Sequence, residues 1–206
     1  MAYLILVRHG ESEWNQKGLC TGLTDVALNQ KGIDESKKAG ESLKSFPIDI
    51  AYSSPLLRAK QTLDEIKNVL KMPNLTTIED KALNERDYGI YTGKNKWEIR
   101  KELGEEKFQS IRRGWDSLIL NGETLKNVYE RVIPYYQSEI LPNLKSGKNV
   151  LIVAHGNSLR SLIKYLENIS DLDVADVELA TGGICIYTIG ENGTVGKKQV
   201  LGSKIK

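Results

Sequence analysis

Only two histidines occur in the 206-residue chain, and both stand in the same local setting. Leu4-Ile-Leu-Val7 leads through Arg8 into His9-Gly10-Glu11-Ser12, and Val150-Leu-Ile-Val-Ala154 leads into His155-Gly156-Asn157-Ser158. Neutral imidazole is a competent nucleophile near neutral pH, because its ordinary pKa is about 6.5. The glycine after each histidine permits a tight turn and close backbone approach of a ligand. Each aliphatic run reads as a strand buried on both faces, as in the middle of a parallel sheet. The polar residues that follow, Ser12 in one segment and Asn157 and Ser158 in the other, suit the cap of a helix. Both histidines are thus placed at carboxyl ends of strands, facing helix N-termini. Ligands bind at that edge in open α/β sheets, and helix N-termini favour anions. One such histidine alone reads as a plain polar residue at a strand end. Two in equivalent settings, with no third in the chain, point to a shared site.

The elements that must position them follow from periodicity. Strands are predicted at Tyr3–Val7, Ile48–Ser53, Leu75–Ile78, Val150–Ala154, Ile184–Ile189 and Val195–Leu201. Helical patterns lie at Leu28–Phe46 with Asn29 as cap, Pro55–Leu70, Lys96–Leu103, Glu105–Trp115, Thr124–Leu144 and Asn157–Leu166. Gly104 separates the third and fourth, Pro134 kinks the fifth, and Gly190-Glu-Asn-Gly193 is the turn of a terminal hairpin. Strands alternating with helices predict an α/β fold. It is a three-layer sandwich with a mostly parallel central sheet, one antiparallel edge strand and helices on both faces. Residues 1–206 read as a single domain, with residues 79–122 as an insertion covering the substrate.

Lys and Arg total 29 against 27 Asp and Glu, which gives no general case for a nucleic-acid or membrane partner. The aliphatic runs are far too short to span a bilayer, and Arg8 and His9 break any signal-peptide layout. Cys20 and Cys185 form no Cys-x-x-Cys pair, so the expectation is a reduced, cytoplasmic chain with no metal. Cys20 is read as structural.

Leu6-Val-Arg-His-Gly-Glu-Ser-Glu-Trp-Asn15 resembles the signature of the histidine phosphatase superfamily, most closely that of the cofactor-dependent phosphoglycerate mutases. Cys20-Thr-Gly-Leu-Thr-Asp25, Tyr52-Ser-Ser-Pro-Leu-Leu-Arg-Ala-Lys-Gln-Thr62 and Leu83-Asn-Glu-Arg-Asp-Tyr-Gly89 continue the likeness in family order. Gly93-Lys-Asn-Lys96, Arg112-Arg113, Gly122-Glu-Thr-Leu125 and Ala154-His-Gly-Asn-Ser-Leu-Arg160 complete it. The Asn-Glu-Arg-x-Tyr-Gly segment, Asn95-Lys96 and the Arg pair are the parts most specific to mutases. Departures include Leu23 for a frequent Trp, Asp87 for a frequent His, and only nine residues between Arg113 and Glu123, where longer members carry an insertion. That shortening points to a monomer, while the family likeness implies a small homo-oligomer, a dimer or tetramer, as the alternative.

The resemblance implies that 3-phosphoglycerate and 2-phosphoglycerate are interconverted, in glycolysis and gluconeogenesis, through a phosphohistidine at His9. It implies 2,3-bisphosphoglycerate as primer and no metal. Arg8, Arg58 and His155 would surround the transferring phosphoryl, whose charge is spread over three oxygens. Glu85 would be the general acid/base, preferred to Asp87 because it falls on the motif position, with a pKa drawn toward the operating pH. Asn15, Gly156 and Asn157 would add neutral donors. Tyr88, Lys96, Arg112 and Arg113 would clamp the carboxylate or second phosphate, with Thr21 and Gly22 contributing from their loop. The partners would be small-molecule phosphoglycerates. The alternative is a phosphohistidine-dependent phosphatase acting on small phosphate esters; a third reading, a non-catalytic phosphate binder, is disfavoured by the presence of both His9 and Glu85.

Overall fold

The computed structural model describes residues 1–201. In chain order the elements are β1 (Ala2–Arg8), α1 (Glu13–Gln16), α2 (Gln30–Ser42), β2 (Ile50–Ser53), α3 (Leu57–Leu70), β3 (Thr77–Glu79), α4 (Lys96–Leu103), α5 (Glu105–Arg113), α6 (Leu125–Tyr135), α7 (Leu141–Lys145), β4 (Val150–Ala154), α8 (Gly156–Glu167), β5 (Ile184–Ile189) and β6 (Val195–Leu201). The sheet order is β3-β2-β4-β1-β5-β6. β1 to β4 are linked by parallel pairings, while β5 is antiparallel to both β1 and β6. Five strands therefore share one direction, and β5 alone opposes them. The expected antiparallel strand is present, one place in from the edge, because the hairpin closed by Gly190 N–H on the Thr194 carbonyl (2.9 Å) returns β6 outside it.

The aliphatic strands face two cores, and their side chains alternate between them. Leu4, Leu6, Ile152, Cys185 and Tyr187 pack with Val128 and Val132 of α6 and Leu159, Leu162 and Ile163 of α8. Ile5, Val7, Leu151, Val153 and Ile186 point the other way, against Ala39 of α2 and Ala59, Leu63 and Ile66 of α3. Covered faces on both sides are why β1 and β4 read as continuous apolar runs.

Helix starts follow local chemistry. Asn29 Oδ1 accepts from the Gly32 N–H at 2.8 Å, capping α2, and Ser12 and Asn15 form a reciprocal capping box on α1. Gly104, at φ 79, ends α4 and starts α5. The predicted long helix is three pieces, because α6 passes into a π-helical turn (Tyr136–Ile140) before α7. Pro134 supplies no N–H to the preceding turn, and the wider turn follows directly. α8 is capped by His155 itself, whose N–H donates to Ser158 Oγ at 3.1 Å, rather than by Asn157 or Ser158. Residues 202–206, the tail that in longer members of the resembled family helps cover the site, lie outside the described residues.

Candidate active site

β1 and β4 are parallel neighbours with Arg8 opposite Ala154, so the residues that follow them arrive side by side. The His9 N–H donates to the Ala154 carbonyl at 3.0 Å. The rings of His9 and His155 stand 5.0 Å apart, centre to centre, and both residues are buried. His9 Nδ1 lies 2.7 Å from the Gly10 carbonyl, which only accepts. That contact assigns the proton to Nδ1 and leaves the lone pair on Nε2. Burial, reinforced by the charges of Arg58 and Arg8, holds His9 well below its ordinary 6.5. Burial, Arg58, His9 and Arg8 do the same for His155. Both rings are neutral at neutral pH.

Arg58 enters from the first turn of α3 and is fully buried. Its Nη1 and Nη2 donate to the carbonyls of Thr24 and Gly22, each at 2.9 Å. Burial lowers its pKa to about 10, so it stays charged. Arg8 Nη1 donates to the Leu179 carbonyl at 2.8 Å. Arg8 Nε, Thr21 Oγ1 and both ring nitrogens of His155 are buried with no partner. Buried polar atoms are nearly always satisfied; Arg8 and Thr21 line one cavity with His9, and the His155 ring stands next to that of His9. Phosphoryl oxygens fit that set.

Glu85 Oε1 accepts from the N–H groups of Arg86 (2.7 Å) and Asn157 (3.2 Å) and from Asn157 Nδ2 (2.8 Å). Burial pushes its carboxyl up, but these hydrogen bonds and the charges of Arg58 and Arg8 outweigh it and hold the group below the ordinary carboxylate value. The expected upward tuning is therefore not a property of the ligand-free pocket. Asn157 also departs from expectation. Its amide donates to Glu85 and, at 3.2 Å, to Tyr88 Oη, and its Oδ1 accepts from Arg160 at 3.0 Å. It positions other residues instead of offering a spare donor.

The two glycines after the histidines differ. A Cβ on Gly10 would fall 2.2 Å from the Gly32 carbonyl oxygen, so Gly10 serves the close approach of α2, not of a ligand. A Cβ on Gly156 would meet Arg8 and Glu85 at ordinary contact distances, inside the pocket.

Arg8, His9, Asn15, Thr21, Gly22, Arg58, Glu85, Tyr88, Lys96, Arg112, Arg113, Gly156 and Asn157 all line one cavity, and His155 backs it through His9. Segment 80–122 supplies five of these side chains, from the turns before α4 and from α4 and α5. Cys20 also lines the cavity while packing with Ile99 and Phe108.

Sequence reading missed a further layer. Arg160 and Glu178 line the same cavity. Arg113 Nη2 donates to Glu178 Oε2 at 2.6 Å. Arg113, Arg160 and Arg8 donate to the carbonyls of Ala175 (3.4 Å), Val177 (2.8 Å) and Leu179 (2.8 Å), alternate residues of one loop. Arg131 of α6 donates to the carbonyls of Ala82 (2.7 Å), Asn84 (3.0 Å) and Glu85 (3.0 Å) and to both oxygens of Glu123. Arg86, fully buried, stacks 4.7 Å from the Tyr88 ring centre and donates to the Arg112 carbonyl. An arginine on the buried stripe of α8 was a usable signal for Arg160; the loop around Glu178 carries no pattern.

Residues 4–200 match the model of the histidine phosphatase superfamily, branch 1. The chain is 48% identical over 200 residues to a 2,3-bisphosphoglycerate-dependent phosphoglycerate mutase of Chelativorans sp. (strain BNC1), covering 96% of this chain and 97% of that protein. It is 46% identical over 200 residues to a phosphoglycerate mutase of Schizosaccharomyces pombe, covering 96% and 95%. Its fold is similar to that of a mycobacterial glucosyl-3-phosphoglycerate phosphatase, with a TM-score of 0.83 at 20% identity over 99% of this chain and 100% of that one. A near-complete match of this kind, with a neutral histidine set among arginines, settles the family: the chain belongs to the histidine phosphatase superfamily, branch 1.

Proposed function

We propose that this chain is a phosphoglycerate mutase, interconverting 3-phosphoglycerate and 2-phosphoglycerate by carrying a phosphoryl group on His9. The carrying observation is near-half identity along almost the full length to mutases so named. The geometry supports it: a neutral His9, its tautomer fixed by the Gly10 carbonyl, lies under the charges of Arg58 and Arg8, and Lys96, Arg112 and Arg113 line the same cavity. Two groups of cations suit a ligand with two anionic ends. 2,3-Bisphosphoglycerate would supply the phosphoryl that charges His9 before turnover, and the unpartnered donors of Arg8, Thr21 and His155 fit its phosphate.

His9 Nε2 attacks phosphorus, and the ester P–O bond breaks. Arg8, Arg58 and a hydrogen bond from His155 stabilise the charge on the transferring oxygens. Glu85 gives a proton to the departing alkoxide and takes one from the attacking hydroxyl in the return step. A bound phosphate offsets the charges of Arg58 and Arg8, which removes part of what depresses Glu85 and moves it toward protonation. Arg112, Arg113 and Lys96 hold the second anionic group, aided by Tyr88, Thr21, Gly22 and Asn15. The arginines fill the role a metal ion has in other phosphoryl transfers, and the scheme asks for none. Residues 1–206 form a single domain in this reading, with 79–122 as the substrate cover, acting in the cytoplasm on small phosphoglycerates. No described helix is long and apolar enough to cross a membrane.

Phosphorus NMR with 3-phosphoglycerate and catalytic 2,3-bisphosphoglycerate tests the reading. Primer-dependent growth of 2-phosphoglycerate, with little inorganic phosphate and neither with His9→Ala, is the expected result. Inorganic phosphate as main product would instead make the chain a phosphatase, with water as acceptor.

A further inference from the structure

Six cationic side chains line the cavity: Arg8, Arg58, Lys96, Arg112, Arg113 and Arg160. Two carboxylates accompany them, Glu85 and Glu178. Glu85 has a part in proton transfer. Glu178 has none, and its backbone neighbours are already tied, through the Val177 and Leu179 carbonyls, to Arg160 and Arg8. Its side chain is 40% exposed, while that of its partner Arg113 is only 16% exposed. Arg113 Nη2 donates to it at 2.6 Å, whereas the other contact of Arg113, to the Ala175 carbonyl, is long at 3.4 Å. Burial pushes the Glu178 carboxyl up, but Arg113, Arg112 and Arg8 outweigh that and keep it ionised. A ligand anion that reaches Arg113 therefore finds its fork engaged by a competing carboxylate.

We infer that Glu178 sets how tightly the cavity holds the second anionic group of its ligand, by competing with that group for Arg113. This rests on the reading above, in which Arg113 receives that group. The physical need is plain. A ligand that must exchange its two ends within one site has to release each end in turn. Six cations opposed by Glu85 alone would bind the ligand more tightly, and uniform tight binding lowers KM without raising kcat. A carboxylate that re-forms its pair with Arg113 stabilises the released state.

The test is equilibrium binding to the unphosphorylated protein by calorimetry at an ionic strength of about 0.15 M. The two probes are 3-phosphoglycerate, with two anionic groups, and inorganic phosphate, with one. Glu178→Gln should tighten 3-phosphoglycerate about tenfold and inorganic phosphate less than about twofold, because Glu178 pairs directly with Arg113 and acts on Arg8 only as a smaller, through-space charge. In an Arg113→Gln background the same change should have little effect, as a double-mutant cycle requires. Glu178→Asp, whose shorter side chain retracts from Arg113, should tighten 3-phosphoglycerate by a smaller factor and serves if the Gln variant fails to fold. Unchanged or weaker binding of 3-phosphoglycerate by Glu178→Gln would overturn the inference and make Glu178 a mere holder of Arg113. Equal tightening of both probes would overturn it too, as a general charge effect. If Arg113→Gln alone leaves 3-phosphoglycerate binding unchanged, it is the clamp role of Arg113 that fails.

Discussion

Glu85 joins two demands that pull in opposite directions. As an acceptor of three hydrogen bonds from Arg86 and Asn157 it is firmly ionised, yet the proposed chemistry needs it to deliver a proton. A bound phosphate would ease the conflict in part, because it offsets the charges of Arg58 and Arg8 that add to the hydrogen bonds of Arg86 and Asn157 in depressing the carboxyl. Glu85→Gln keeps the shape and removes the proton exchange. Its kcat should fall about 10²–10⁴-fold, the usual range for a lost general acid, with a small change in KM. Steady-state kinetics check this. Retained full turnover would remove Glu85 from the mechanism. At this scale much of the cavity was legible in the sequence. His9 and His155 announced themselves by position after apolar strands, while Arg8, Arg58, Glu85, Lys96 and the Arg pair came through the resemblance. The task of Asn157 was not legible, since its partner Glu85 lies 72 positions away and only folding brings them together.

Glu85 sits in no regular element, so something else must fix it. The guanidinium of Arg131 does so, by gripping the carbonyls of Ala82, Asn84 and Glu85 while Glu123 orients the guanidinium from behind. Glu123 Oε2 also accepts from the Asp87 N–H at 2.9 Å, which closes the clamp on the far side of Glu85. Lysine cannot reproduce a planar fork with five donors. Arg131→Lys should lower kcat about tenfold to hundredfold through misplacement of Glu85, while binding of inorganic phosphate at His9 changes little. The comparison of kcat with phosphate affinity separates this from general loss of structure. No sequence pattern marked Arg131, because a side chain that binds backbone carbonyls leaves no trace in periodicity. The elements themselves were largely readable: β4, β5, β6 and α4 fall on their predicted bounds. The long helix was misread because a 3.6-residue stripe does not register a π-helical turn, which leaves apolar residues on the same side.

Across the whole molecule, the site stands on strands packed into two cores, and this sets its response to acid. His9 and His155 have native pKa values below 6.5, so below that pH the unfolded chain binds protons that the native state refuses. Stability should therefore fall as pH drops below about 6.5, by up to roughly 1.4 kcal/mol per pH unit for each histidine. Urea unfolding between pH 7 and 5.5, in a phosphate-free buffer, checks the sign, and His155→Gln should flatten the slope. A wild-type slope near zero would mean that the rings titrate normally. The layer architecture was legible because alternating burial makes β1 and β4 uniformly apolar; the exact place of β5 was not, because a hairpin pattern does not say which of its strands lies outermost. The same sheet order has a consequence for how the molecule is made. β1 pairs only with β4 and β5, about 150 and 180 residues downstream. During translation at roughly 5–20 residues per second, the segment Leu4-Ile-Leu-Val7 must wait on the order of ten seconds for a partner. The nascent chain thus emerges from the ribosome with an aliphatic strand that is buried on both faces in the fold still unpaired, exposed to aggregation until late synthesis supplies its neighbours.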